Sequence, residues 1–183
     1  MKELEEVVTV EQKRYTDFFS IRVEKLKQWK ETYASELLLE INDEFVEEPF
    51  NLIRVDFIYK NQNGEDSINE LRLDSNSNYK PVEYIKSNTE VLVKPFCWNS
   101  CEIDCDNLEL DSLKEWVRQW LKIEEEFDSL STAIHSCSIP EEKDGQFSFT
   151  IDFGTSPSEA FYDLINTLER AGVTKISIKT EEV

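Results

Sequence analysis

Apolar residues recur in steps of three and four through the first part of the chain, at Tyr15, Phe19, Val23, Leu26, Trp29, Tyr33, Leu37 and Ile41. That spacing is the period of one helix face. Thr9-Val10-Glu11-Gln12 has the threonine and glutamine of a capping box, so a long amphipathic helix is expected over about 9–42, with Pro49 closing off any continuation. From Leu52 the period drops to two: Ile53, Val55, Phe57 and Tyr59 alternate with Arg54, Asp56, Ile58 and Lys60. Asn63-Gly64 then signals a tight turn, and Ser67 to Leu73 alternates again, which predicts an antiparallel hairpin. Asp74 to Asn78 is polar throughout and reads as a loop.

Two more strands are expected at Glu90–Pro95 and Cys97–Cys105, with Pro95 marking a bend or an edge. Leu113, Trp116, Val117, Trp120, Ile123 and Phe127 form the stripe of a second helix, about Ser112–Phe127, capped by Asp111. Thr132–Ile139 reads as a further strand, and Lys143-Asp144-Gly145 as the turn into Gln146–Phe153, where Phe147, Phe149, Ile151 and Phe153 alternate. Ser156-Pro157-Ser158-Glu159 opens a third helix with Ser156 as cap. Phe161, Leu164, Ile165 and Leu168 are its apolar face, and Gly172 its left-handed end. Val173–Lys179 is the last strand, and with Gln146–Phe153 it makes a strand–helix–strand crossover if the two are parallel. The short likeness of Glu102-Ile103-Asp104 to Thr150-Ile151-Asp152 suggests two similar strand-to-helix units. The pattern adds up to one α+β domain over 1–183: a mixed, mainly antiparallel sheet of about six strands, three helices, and a long helix at the start. Its parts are the N-terminal helix, a strand-rich 50–105, and a helix–strand–strand–helix–strand run over 106–183.

Composition supports a core, since 39% of the 183 residues are hydrophobic and eleven are phenylalanine. Charge says more about function: 39 acidic side chains against 20 basic ones leave −19. The excess is local. Residues 1–40 hold seven Lys/Arg against nine Asp/Glu, residues 41–79 three against nine, and residues 100–130 three against ten. Such a field repels nucleic-acid phosphate and anionic membranes and favours a cationic partner. No apolar run reaches membrane-span length and the first residues lack the apolar core of a secretion signal, so a cytoplasmic location is expected.

The chemistry that the residues could carry is thin. Gly64, Gly145, Gly154 and Gly172 all fall at turns or caps, leaving none for a phosphate-cradling loop, and Asp152-Phe153-Gly154 lacks the companion motifs of a kinase. His135 is the only histidine, its neighbours Ser136 and Cys137 form no nucleophile pattern, and an ordinary strand or loop histidine outweighs a catalytic one. Cys97, Cys101 and Cys105 would share one strand face with Asn99 and Ile103, but no Cys pair has zinc-site spacing and no calcium-loop motif exists. No enzyme activity, cofactor or metal is therefore expected.

In size, acidity and lack of catalytic motifs, the whole chain resembles the small acidic immunity proteins of bacterial polymorphic and contact-dependent toxin systems. The resemblance implies a non-catalytic inhibitor that occludes a basic, secreted toxin domain. The expected contact surface is the cluster Asp104, Asp106, Glu109, Asp111 and Glu115, extended by Glu124, Glu125 and Glu126, with Trp98, on the strand face opposite the cysteines, as either an aromatic anchor or a core residue. The main alternative is an adaptor or structural subunit docking through the long first helix, for which exposed Phe18 or Tyr33 would speak. A nucleic-acid mimic and an enzyme of unrecognised type rank below it.

Overall fold

The computed structural model describes residues 2–29, 33–43, 45–73, 77–123 and 132–180. The fold is α+β, with three helices, a long one first, and mixed, mainly antiparallel sheets. Ten strands occur among the described residues. The first helix, α1, spans Lys2–Trp29 and ends well short of the expected 42; β1 follows at Tyr33–Glu40. The cause is an ambiguity of period. Tyr33, Leu37 and Ile41 are four apart, which is close to one helical turn and also a multiple of the strand period. Pairing decides in favour of the strand: Leu37 lies opposite Val55 and Leu39 opposite Ile53 on β2 (Leu52–Lys60), an apolar ladder that a helix could not form. At the other end Thr9 is inside α1 and caps nothing, because Leu4 and Val8, both buried, carry the stripe back by two more turns.

The predicted hairpin is present, with β3 (Asp66–Asn69) antiparallel to β2, and these three strands form one sheet. A seven-stranded sheet holds the rest: β4 (Val82–Lys86), β5 (Thr89–Val93), β10 (Lys175–Thr180), β6 (Cys101–Asp106), β9 (Gln146–Asp152) and β7 (Ser136–Cys137) in that order, with β8 (Glu141–Lys143) on β9. The strand β4 went unread in the sequence, although Val82 and Tyr84 alternate with Glu83 and Ile85 ahead of a turn at Ser87-Asn88. Between β9 and β10 runs α3 (Ser158–Arg170). Both strands are antiparallel to β6, which sits between them, so they are parallel but separated. The two sheets are joined where the Arg54 amide donates to the His135 carbonyl (2.7 Å) and the His135 amide to the Asp152 carbonyl (2.8 Å).

Helix boundaries differ in detail from the expected ones. α2 covers Leu110–Leu121, with Glu109 in the cap position, so Asp111 lies in the first turn; Lys122 turns left-handed (φ 52°) and stops the helix before the predicted Phe127. α3 starts one residue later than read: Pro157 takes the cap position with no side-chain bond, and buried Ser156 precedes it. Its end is as expected. Gly172 (φ 86°) lets its own amide reach the Glu169 carbonyl and the Val173 amide reach that of Leu168, both at 3.0 Å, the paired bonds of a Schellman closure.

One core unites these elements. Leu113, Trp116, Val117 and Leu121 of α2 and Phe161, Leu164, Ile165 and Leu168 of α3 pack with Val91, Val93, Ile103, Phe149, Ile151, Ile176 and Ile178 of the sheet. Trp98 stacks on Phe153 with centroids 4.6 Å apart, and Phe96 on Phe161 at 5.7 Å. Each buried aliphatic or aromatic side chain contributes roughly 1.5–3 kcal/mol. Because alternate strand residues turn inward, the intervening ones form a second sheet face to which α2 and α3 contribute nothing.

Candidate functional site

That helix-free face holds the first candidate site. Its outward positions include Glu83 and Ile85 on β4, Glu90 and Leu92 on β5, Lys175, Ser177 and Lys179 on β10, Glu102, Asp104 and Asp106 on β6, Gln146, Ser148 and Thr150 on β9, and Glu141 and Lys143 on β8. A shallow groove of about 910 Å³ runs over β4, β5, β10 and β6 to the Asp144-Gly145 turn. A second, of about 700 Å³, lies beside it, between Glu102, Lys179 and Thr150 and the segment Ile41–Phe50. Lys179 is clamped between Asp104 (2.9 Å) and Glu102 (3.3 Å), and its bond to Asp104 raises its pKa. Asp106 is occupied within the fold: its carboxylate accepts from the Thr174 amide and hydroxyl and from the Lys175 amide at 2.6–2.9 Å, and these bonds outweigh burial to lower its pKa. Glu83, Glu90 and Asp144 have no ion pair among the described residues.

The expected contact cluster is thus divided. Asp104 and Asp106 belong to the open sheet face, whereas Asp111 and Glu115 are exposed on α2, on the opposite side of the sheet. Glu109 sits between them and accepts a bond from the Ser112 hydroxyl at 2.7 Å. Glu124, Glu125 and Glu126 lie outside the described residues. Trp98 is no surface anchor. It is fully buried, and its indole N–H donates to the Gly154 carbonyl at 3.1 Å. Local geometry explains the error: Cys97 bridges back to Ser100, so the chain turns at Trp98 and Asn99, and the strand begins only at Cys101. Cys101 and Cys105 do share a buried face with Ile103, while Asn99 leaves it to donate to the Leu71 carbonyl. All four cysteines are buried, and burial lifts the Cys105 thiol to about 12, which suits inert packing. Among the described residues, no three His, Cys, Asp or Glu side chains converge as metal ligands.

The second candidate is a buried polar seam, and sequence reasoning missed all of it except its histidine. His135 is 2% exposed and lies between two carboxylates, Nε2 at 3.1 Å from Glu36 Oε1 and Nδ1 at 3.0 Å from Asp56 Oδ1, with Asp152 Oδ2 at 4.0 Å. Tyr15 of α1 donates to Asp56 at 3.1 Å, Thr155 donates to Glu36, and the Leu71 amide donates to the other Asp56 oxygen. Glu36 reaches this position from a left-handed backbone (φ 54°) inside β1, a conformation that costs roughly 1–2 kcal/mol for a residue with a Cβ. Gly154 has no such choice. Its φ is 50°, and a Cβ there would run into the His135 ring.

Burial alone would lower the pKa of His135, but the Asp56 and Glu36 carboxylates, helped by the field of Asp152, outweigh it and hold the imidazolium up to about 10. Burial lifts Asp152 to about 7 despite the pull of His135, and it likewise raises Tyr15. Arg54 completes the seam by donating to the carbonyls of Leu121, Glu36 and Lys122, so that it ties β1, β2 and the end of α2 together. A histidine charged well above neutral pH is a poor general base, and the two grooves on the helix-free face do not reach it. The seam is a clasp between the two sheets and α1. The sequence signal for it was Arg54 and Asp56 alternating within a strand whose centre, Arg54 to Phe57, is buried on both faces. Comparisons with family models, with curated proteins and with solved structures find no match to this chain.

Proposed function

We propose that the protein is an immunity-type inhibitor that binds a cationic bacterial toxin domain on the helix-free face of its seven-stranded sheet and occludes that domain's working surface. The observation that carries this reading is the distribution of charge on that face. Among the described residues, Glu83, Glu90, Glu102, Asp104, Asp106 and Glu141 share it with Lys143, Lys175 and Lys179, and Lys179 is already neutralised by its two neighbours. Ile85 (71% exposed) and Leu92 add apolar area between the charges. Charges at the rim speed encounter with a basic surface, and desolvated apolar contacts supply affinity. The titratable histidine is sealed into the clasp, which is further support for a binding role over catalysis.

The test is capture of the partner by the full chain, followed by charge reversal on two surfaces. A basic protein released by high salt is expected, with capture lost in the Glu83→Lys/Glu90→Lys variant and kept in Asp111→Lys/Glu115→Lys. Co-expression with the captured protein should rescue growth only where capture persists. Capture unaffected by reversal at Glu83 and Glu90 would overturn the assignment of this face.

A second reading, an adaptor docking through α1, is favoured by Val10 (60% exposed) and Ile21 (55% exposed), which fall on nearly the same side of the helix three turns apart. Phe18 is half-buried beneath the Arg22 guanidinium at 5.2 Å, and the Tyr33 side chain lies outside the described ones. Val10→Lys/Ile21→Lys would abolish binding under this reading and leave it intact under the first.

A further inference from the structure

The edge of the acidic face has a polarity of its own. Among the described residues, β4 is the terminal strand of the seven-stranded sheet and pairs only with β5, closing through Ser87-Asn88 with Lys86 opposite Thr89. On the far side of β5, the Glu90 and Lys94 amides donate to the Thr174 and Ile178 carbonyls of the β10 segment, both at 2.8 Å. Residues of even number in β5 therefore bond to β10, and Thr89, Val91 and Val93 bond to Lys86, Tyr84 and Val82. The amide and carbonyl of Glu83 and Ile85 are left pointing outward, with no backbone partner among the described residues. Their side chains stand on the helix-free face, where Ile85 is 71% exposed and Glu83 borders the groove shared with Glu90.

We propose that the outer edge of β4 receives an extended, Lys/Arg-bearing segment of the partner as an added strand, its backbone bonding to Glu83 and Ile85 and its cationic side chains lying over Glu83 and Glu90. This rests on the basic-partner reading above and specifies how that partner is held. Main-chain bonds along an open edge supply affinity, and alternate side chains supply selectivity. Charge decides between occupants. A second copy would set Glu83 and the −19 of one chain against those of another, a like-charge pairing that discourages edge-to-edge association. An extended basic segment meets the same edge with complementary charge.

The experiment uses the full chain, isotopically labelled, with a synthetic peptide that alternates valine with lysine and arginine, and the same peptide N-methylated at alternate residues. The expected result is slowed amide exchange at Glu83 and Ile85 on adding the first peptide, with little change at Tyr84, whose amide already bonds to β5. N-methylation should abolish the protection, and Glu83→Lys should weaken binding roughly tenfold. Ile85→Pro removes one outward N–H without breaking a β4–β5 bond and should abolish binding at an unchanged unfolding midpoint; if it unfolds the sheet, the N-methylated peptide still decides. Binding of both peptides to the acidic face with no protection at Glu83 and Ile85 would overturn edge addition and leave the basic-partner reading standing. Failure of both peptides to bind, together with partner capture that ignores reversal of Glu83 and Glu90, would overturn both.

Discussion

His135 and Lys179 are each a single cation held between two carboxylates at nearly the same distances, 3.0 and 3.1 Å for the histidine, 2.9 and 3.3 Å for the lysine. Their burial differs. The His135 side chain is 2% exposed and its partners 1–2%, whereas Lys179 is 28% exposed on an open face. Water screens the lysine trio and leaves its pairing weak, while the histidine trio holds charges that cannot be rehydrated without opening the fold. Similar arrangements thus serve as a clasp in one place and as an adjustable surface in the other.

The largest effect should come from breaking the clasp. His135→Ala leaves Glu36 and Asp56 buried without their counter-charge and should destabilise by about 3–5 kcal/mol in denaturant titration; a loss below 1 kcal/mol would show that the seam is hydrated. Gly154→Ala attacks the same ring sterically and demands a left-handed alanine, for roughly 1–3 kcal/mol.

The pH dependence should separate the two trios more finely. His135 is held above its ordinary 6.5, so its stabilisation is full below about pH 6.5 and is lost as pH climbs through about 10. Asp152 is also held above its ordinary 3.8, so the folded state keeps a proton that the unfolded chain releases, and stability falls as pH rises from about 4 to 7. Unfolding midpoints should therefore decline in two stages across pH 4–10. Asp152→Asn should flatten the first stage and move the second to lower pH, because the field of Asp152 helps hold the His135 proton; a flat wild-type profile would contradict both assignments. Lys179→Ala should be the mildest change, about 0–1 kcal/mol and smaller still in high salt, and an effect as large as that of His135→Ala would erase the contrast.

How much of this was legible in the sequence depends on whether a signal was local. Gly172 marked the end of α3, and the alternation of Phe147, Phe149, Ile151 and Phe153 located β9, because cap geometry and strand period are set by near neighbours. The Tyr33–Ile41 run failed because its spacing fits two periods, and only pairing with β2 chose one. Trp98 failed because a bridge from Cys97 to Ser100 turned the chain between two residues that alternation had treated as a single strand. The acidic cluster failed as a unit because a strand and the helix after it lie close in sequence but look toward opposite sides of the sheet.

The chain by itself determined the α+β class, the long first helix, the apolar stripes of α2 and α3, and the excess of carboxylates, since composition and periodicity are properties of neighbouring residues. Tertiary structure decided which carboxylates are tools of the fold and which face solvent. Glu36, Asp56 and Asp152 come to His135 from three strands, Tyr15 from α1, and Thr155 from the loop before α3, across separations as large as 119 residues. No local pattern can encode such a meeting, because burial and counter-charge arise only when distant segments pack.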